Sequence, residues 1–353
     1  MSMCRSRRSL LCSRAQSRNS FGIIHVMRIV FMGSSAASAT CLRALLSVPC
    51  LDVVGVVTPP DRPVGRGKVV MPCPCKAFAQ DRGITSIITP ENVNDEQAMS
   101  QLRAWHPDAI VVVSFGQFLK KPLLDLPPLG CINCHFSLLP KYRGASPVVA
   151  AIAAGDRLTG VTVMKMGIGM DDGPILMQRY EPICSDTTGG MLMDDLAIAG
   201  GVTLAKTFRQ MNDGTLPPPV MQNDADATFA YKLKKSDGCI DWSAPVLVID
   251  RKIRAYSPWP GSFTFLPERF RRKGNTGRLV VLKAEIAGRI TPEQQGYEPG
   301  TVIEIDSKGR PVVRCGDTAL RLLSVKPEGS SEMPAAAFLR GRPIAVGERL
   351  LDS

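Results

Sequence analysis

The sequence predicts an α/β chain in two parts: a Rossmann-like, mostly parallel sheet domain followed by a small OB-like β-barrel domain. Three observations carry that expectation. Apolar runs alternate with helical patterns up to about residue 214. A triple proline, Pro217-Pro218-Pro219, then interrupts the chain. Beyond it, short strand patterns are punctuated by Gly and Pro. At 353 residues the chain also exceeds what one hydrophobic core usually organises.

Residues 1–26 are read as an extension outside the fold. They carry five arginines, many serines and no acidic residue, the composition of an organellar transit segment. The preferred reading is that Met27 opens the folded chain, which places the protein in a bacterial cytoplasm; a transit segment would send it to a mitochondrial matrix. Residues 27–214 are expected to form the first domain. Arg28–Met32 is a strand, Gly33-Ser34-Ser35 a turn and Ala36–Leu46 a helix of small residues. Val53–Val57, Ala109–Ser114, Cys131–Cys134 and Gly160–Lys165 supply further strands. Continuously apolar strands separated by helices indicate a parallel sheet covered on both faces. Such sheets bind ligands at the carboxyl ends of their strands. Met191–Gly214 reads as a long helix, and 215–232 as a stiff Pro-rich connector. In 233–353, Ser262–Leu266, Leu279–Ala284, Gly300–Ile305, Pro311–Cys315 and Ala319–Ser324 read as barrel strands. Periodicity leaves an ordinary sandwich open as the alternative.

The formal charge is +11, and setting aside the five arginines of the first 26 residues leaves +6 on the remainder. A basic body suits a polyanion such as RNA, or is simply a solvated surface. The 11 cysteines are odd in number and scattered, as reduced thiols are. No apolar run approaches the ~20 residues of a membrane span.

Chemistry concentrates in one stretch, Asn133-Cys134-His135-Phe136-Ser137-Leu138-Leu139-Pro140-Lys141-Tyr142-Arg143-Gly144. Asn133 and His135 lie two apart at a strand end and so share a face. The loop Gly167–Gly173, after another strand, can bring Asp171 to the same edge. An amide donor, an imidazole and a carboxylate suit acyl transfer to an amine: the amide holds an oxyanion, the imidazole takes a proton, and the carboxylate fixes the imidazole's tautomer. Each residue alone is more often structural, and an Asp in a Gly-rich loop is usually a turn residue.

The conjunction Asn133-x-His135-x-Ser137-Leu138-Leu139-Pro140-x-x-Arg143-Gly144 with Gly169-Met170-Asp171-x-Gly173 closely resembles the folate-dependent formyltransferases. Thr58–Lys68, Ile240-Asp241-Trp242 and Arg254–Pro260 resemble the branch of that family acting on tRNA. The resemblance runs from Met27 to the C-terminus. It implies Asn133, His135 and Asp171 as the catalytic trio, with no metal. It implies Ser137, Leu138, Leu139 and Pro140, with Gly116, as folate contacts. Arg62, Arg66 and Lys68 become tRNA contacts, Arg66 foremost. 10-Formyltetrahydrofolate is then the cosubstrate and initiator methionyl-tRNA the partner of a monomer. Glycinamide ribotide or an amino-sugar nucleotide are rival acceptors, and a tRNA-binding protein without catalysis is the non-enzyme alternative.

The chain departs from the family at Ser34–Ala39, where an aromatic is usual, and at Phe136, Gly167 and Asp172. Two cysteine patterns compete. Cys131-x-x-Cys134-His135 matches a c-type haem attachment site, and Cys73/Cys75 with Cys131/Cys134 would be a zinc set of short spacing. Both are set aside, because the first sits in an apolar strand and the second has a poor interval.

Overall fold

The computed structural model describes residues 26–64, 67–271 and 276–352. The expected extension, Val26 apart, lies outside the described residues.

The first part opens with β1 (Met27–Gly33) and α1 (Ala36–Leu46). Ser35 caps α1, exchanging side-chain bonds with Ser38 in a capping box. β2 (Leu51–Val57), the hairpin β3 (Arg62–Val64) and β4 (Val69–Met71), α2 (Pro74–Asp81), β5 (Ile87–Ile88) and α3 (Glu96–Ala104) follow. Next come β6 (Ala109–Val113), the single turn α4 (Lys121–Leu124), β7 (Cys131–His135), β8 (Arg143–Gly144) and α5 (Pro147–Ala154). β9 (Leu158–Lys165), β10 (Ile175–Pro182) and α6 (Gly189–Asn212) complete the domain.

Seven of these strands form one sheet in the order β10-β9-β7-β6-β1-β2-β5. β5, β2, β1, β6 and β7 are parallel, whereas β9 runs antiparallel to β7 and β10 antiparallel to β9. The mostly parallel sheet is thus as expected, with an antiparallel edge that apolar content does not reveal. β10 escapes sequence reading because its residues are half-buried or exposed. Strand alternation divides the core. Ile29 and Phe31 pack with α1 and α6 through Leu42, Leu45, Leu196 and Phe208, while Val30 and Met32 face Leu102 and Leu123. The long helix begins at Gly189, two residues ahead of the expected Met191, because Thr188 caps it by accepting from the Met191 N–H.

The segment 215–232 is docked along the first domain. Val220 exchanges main-chain bonds with Ile175 at 2.8 and 2.9 Å, and β11 (Phe229–Ala230) pairs in parallel with β8. Beyond it lie α7 (Val246–Ala255), β12 (Ser262–Phe265), β13 (Arg278–Ile286), α8 (Pro292–Gln295), β14 (Val302–Ile305), β15 (Pro311–Arg314), β16 (Ala319–Pro327), β17 (Met333–Pro334) and α9 (Ala335–Gly341). The strands form an antiparallel sheet in the order β12-β13-β16-β15-β14, with β17 on β16. Residues 347–351 bond to both of its edges: Leu351 exchanges two 2.8 Å bonds with Phe265, and the Val302 N–H donates to the Glu348 carbonyl at 2.8 Å. α7 belongs to both cores. Val246, Ile249 and Ile253 join the second, while Ala255 and the adjoining Tyr256 join the first. Among the described residues no helix is long and apolar enough to cross a membrane.

Candidate active site

β7 lies third from one edge of the sheet, between β9 and β6, and the residues at its carboxyl end line a cavity. Asn133 and His135 project from it to one face. Asn133 is half-buried and lines a cavity, and among the described residues its side chain makes no hydrogen bond to protein. His135 is 6% exposed. Its Nε2 lies 2.8 Å from the carbonyl oxygen of Tyr142, and its Nδ1 lies 3.5 Å from Oδ2 of Asp171. A carbonyl oxygen only accepts, so Nε2 carries the hydrogen and Nδ1 is left to receive a proton. The expected division of roles changes accordingly. The Tyr142 carbonyl selects the tautomer, and Asp171, at a distance longer than a hydrogen bond, faces the nitrogen that becomes charged.

Asp171 is held from two sides. Its Oδ2 accepts the Gly144 N–H at 2.8 Å, while its own carbonyl accepts from the Gln222 side-chain amide at 2.8 Å. Its φ is +50°, and Tyr142 has φ +59°. Both are non-glycine residues in the left-handed region, a conformation that persists where surrounding contacts over-determine it. Gly144 has φ +114°, and a Cβ there would stand 2.7 Å from the Ala230 carbonyl oxygen. Glycine is therefore required where β11 crosses β8.

The cavity measures about 560 Å³, within the usual range for small-ligand sites, ~300–1,000 Å³. Its walls are mainly apolar, with Val112, Phe115, Leu119, Val148, Met164 and Met193 among them, and Asn133, His135 and Asp171 all open onto it. Gly116 lines it at φ +83°, with open space where a Cβ would be. Leu233 and Trp259, from beyond the connector, close one side, and neither figured among the expected site residues.

Ser137, Leu138, Leu139 and Pro140 do not line this cavity, contrary to the expected ligand contact. The Ser137 side chain is fully buried and donates to the Lys141 carbonyl at 2.6 Å. The Ser137 carbonyl accepts from Thr162 Oγ1 at 2.7 Å, the Leu139 N–H donates to that oxygen at 3.1 Å, and Gln178 donates to the Leu139 carbonyl at 2.9 Å. These bonds turn the segment inward, where it forms the base of the turn that presents Tyr142 to His135. The motif's polar and small residues are recognisable in sequence, but their inward hydrogen bonding is not.

The departures from the family pattern are absorbed locally. Ser38 Oγ donates to the Val113 carbonyl at 2.6 Å, tying the start of α1 to the end of β6. The Phe136 ring packs toward α6, where a Cβ on Gly200 would stand 3.3 Å from its Cε1 and 2.8 Å from Cys134 Sγ. The Asp172 carboxylate folds back over Gly167 and Gly169, and its Oδ1 is buried without a hydrogen-bond partner among the described residues. Cys131 and Cys134, three apart on an extended strand, enter opposite cores and so cannot clasp one haem. Burial pushes the Cys131 thiol up to about 12.

Of the three cations expected to meet RNA, Arg62 lies on β3 with Nη2 2.6 Å from Glu91 Oε2, both side chains exposed. Lys68 is exposed in the hairpin turn at φ +47°. Arg66 lies outside the described residues. Asp61 anchors the hairpin's base to Lys76 of α2 at 2.8 Å.

Two family models match the chain: "Formyl transferase" over residues 27–207 and "Formyl transferase, C-terminal domain" over residues 232–343. A methionyl-tRNA formyltransferase from Magnetococcus marinus is 41% identical over 323 residues, covering 92% of this chain and 98% of its own. Among solved structures, the sugar 3N-formyl transferase WlaRD superposes with TM-score 0.57 at 17% identity, covering 87% of this chain and 100% of that one. HypX from Aquifex aeolicus, in complex with tetrahydrofolic acid, superposes with TM-score 0.56 at 15% identity and covers 89% of this chain. This chain spans about half the length of that protein, 47%. At such identities the two structures share the fold.

Proposed function

The chain belongs to the formyl transferase family, and from that membership we propose that it transfers the formyl group of 10-formyltetrahydrofolate to the α-amino group of methionyl initiator tRNA. The relatives matched over nearly their whole length carry that activity in their names. The observation that carries the assignment is the meeting of Asn133, His135 and Asp171 on one cavity lip.

The chemistry follows from the geometry. His135 Nδ1 accepts a proton from the methionyl ammonium, and the resulting imidazolium donates through Nε2 to Tyr142 and faces the Asp171 carboxylate. The freed amine attacks the formyl carbon while the Asn133 amide donates to the formyl oxygen as its charge grows. The attacking nitrogen gives up its second proton as the carbon–nitrogen bond to the folate breaks; the folate nitrogen takes one proton, and the other, held on His135, leaves to solvent. The Gly116 side of the cavity and its apolar floor suit a flat heteroaromatic ring, with Ser137–Pro140 as backing behind His135. Met170, Met193 and Trp259, which also line the cavity, suit the methionine side chain.

We further assign 27–214 to catalysis, 215–232 to the connector, and 233–353 to an OB-like barrel that holds RNA. The sheet whose edges are joined through residues 347–351 supports the last reading. Arg62, Arg66 and Lys68 would meet the acceptor stem. The bacterial relatives favour a cytoplasmic setting. The test is an assay with 10-formyltetrahydrofolate and methionyl-tRNA beside glycinamide ribotide and an amino-sugar nucleotide. Formylation of methionyl-tRNA alone supports the reading, and turnover of another acceptor in its place overturns it.

A further inference from the structure

We propose that Gln222, a connector residue, is a positioning residue for Asp171 and couples the connector to the catalytic loop. Gln222 lies outside the cavity lining, yet its side chain makes more polar contacts around the site than that of any member of the trio. Its Nε2 donates to the carbonyls of Asp171 and Gly173, each at 2.8 Å. One amide therefore spans the turn that holds Asp171 at φ +50°. Without both bonds, a carboxylate residue in the left-handed region has less to keep it there.

The other end of Gln222 is fixed just as firmly. Its Oε1 accepts from Nε and Nη2 of Arg143, at 3.1 and 3.0 Å. Arg143 is 5% exposed, and its Nη2 also donates to Asp224 at 2.7 Å. The main chain on either side of Arg143 holds the two reacting groups. The Tyr142 carbonyl accepts from His135, and the Gly144 N–H donates to the Asp171 carboxylate. Arg143 and Gln222 together thus set the backbone frame in which imidazole and carboxylate face each other. Because residue 222 lies in the segment joining the two parts, this frame is completed only when the connector is docked.

The inference rests on the proposed roles of His135 and Asp171, and the experiment separates the two. Gln222→Met keeps the side chain's length and removes its polar atoms. Gln222→Glu keeps an acceptor for Arg143 but removes the donor to both carbonyls. Both are compared with Asp171→Ala and with Met221→Ala, a change at an exposed neighbouring connector residue, by steady-state kinetics and thermal melting. Misplacement of a catalytic group by about 1 Å costs on the order of 100-fold. Both Gln222 variants should therefore lose about 10- to 100-fold in kcat, with KM for each substrate within about threefold, while Met221→Ala stays near wild type. Melting temperatures close to wild type would attribute the loss to positioning. Unchanged kcat overturns the proposal, as does a loss that tracks the unfolded fraction or appears only as a raised KM for tRNA. If Asp171→Ala itself remained active, the underlying assignment would fall instead.

Discussion

The Nε2 of His135 donates to the main-chain carbonyl of Tyr142 at 2.8 Å, which leaves Nδ1, 3.5 Å from Asp171, as the ring nitrogen able to accept a proton. Asp171 then acts by charge and not by choosing the tautomer. Asp171→Asn keeps an oxygen for the Gly144 N–H and removes the negative charge facing the imidazolium. It should lower kcat at least about 100-fold with little change in KM or melting temperature, because general-base catalysis contributes about 10²–10⁴-fold. Single-turnover kinetics with both substrates saturating measures this, and a fully active Asp171→Asn would show that the carboxylate's charge is not used.

Asn133→Ala removes a side-chain amide that opens onto the cavity without a protein partner among the described residues. Loss of a single oxyanion donor costs about 10²–10³ in kcat. Since no hydrogen bond within the protein is broken, stability should hold, and differential scanning calorimetry beside the rate assay checks both halves of the statement.

How much of this was legible in the sequence depended on whether side chains or main chain do the work. The parallel strands were legible because Ile29–Met32 and Ala109–Val113 are apolar on both faces. Asn133 and His135 were legible as two polar residues sharing a face at a strand end, whereas Asp171, in a Gly-rich loop, joined them through the family resemblance. Tyr142 was not, since its contribution is a carbonyl at positive φ, which its side chain does not announce. Gln222 was not either, because it lies 51 residues from Asp171 and 79 from Arg143 and in a segment read as a spacer. The inward turn of Ser137–Pro140 was hidden for the same reason: Thr162 and Gln178, which hold it, come from other strands.

Gly144→Ala should destabilise the protein and inactivate it together. The residue sits at φ +114°, and an added Cβ would stand 2.7 Å from the Ala230 carbonyl and 3.3 Å from Met170 Sδ. Backbone strain of this kind costs about 1–3 kcal/mol. Relief by moving β8 away from β11 also carries off the N–H that holds Asp171. Denaturant melts and kcat should both fall; an alanine variant of wild-type stability would mean that the close crossing is not required.

The buried thiols should lower stability at alkaline pH. Burial pushes Cys75 and Cys131 from 9.0 up to about 12. Between those values the unfolded chain has lost protons that the folded chain keeps, so stability falls as pH rises. It is intact below 9.0 and declines by ~1.4 kcal/mol per pH unit for each such thiol. Urea melts from pH 8 to 11 should slope downward, and Cys131→Ala should be flatter over that range than wild type. Parallel slopes would assign the alkaline decline to other groups.

Electrostatics should distinguish the hairpin cations from one another. Lys68 is exposed, whereas Arg62 is paired with Glu91 at 2.6 Å, 65% and 71% of the two side chains being exposed. An exposed pair of this sort is worth at most about 1 kcal/mol, so Arg62 can exchange its carboxylate for a phosphate, but only against that competition. Each phosphate neutralised by a protein cation steepens the dependence of log affinity on log salt by about 0.7–0.9. Lys68→Ala and Arg66→Ala should each flatten that slope by about this amount and raise KM for tRNA, leaving KM for folate and saturating kcat unchanged. Arg62→Ala should flatten it less, because Arg62 gives up its pair with Glu91, itself weakened by salt, when it meets a phosphate, so its net contribution to the salt dependence is smaller. Titrations of KM against potassium chloride between 50 and 200 mM, a range over which several phosphate contacts change affinity by about 10³-fold or more, resolve these differences. Equal slopes in wild type and all three variants would place the hairpin away from the RNA.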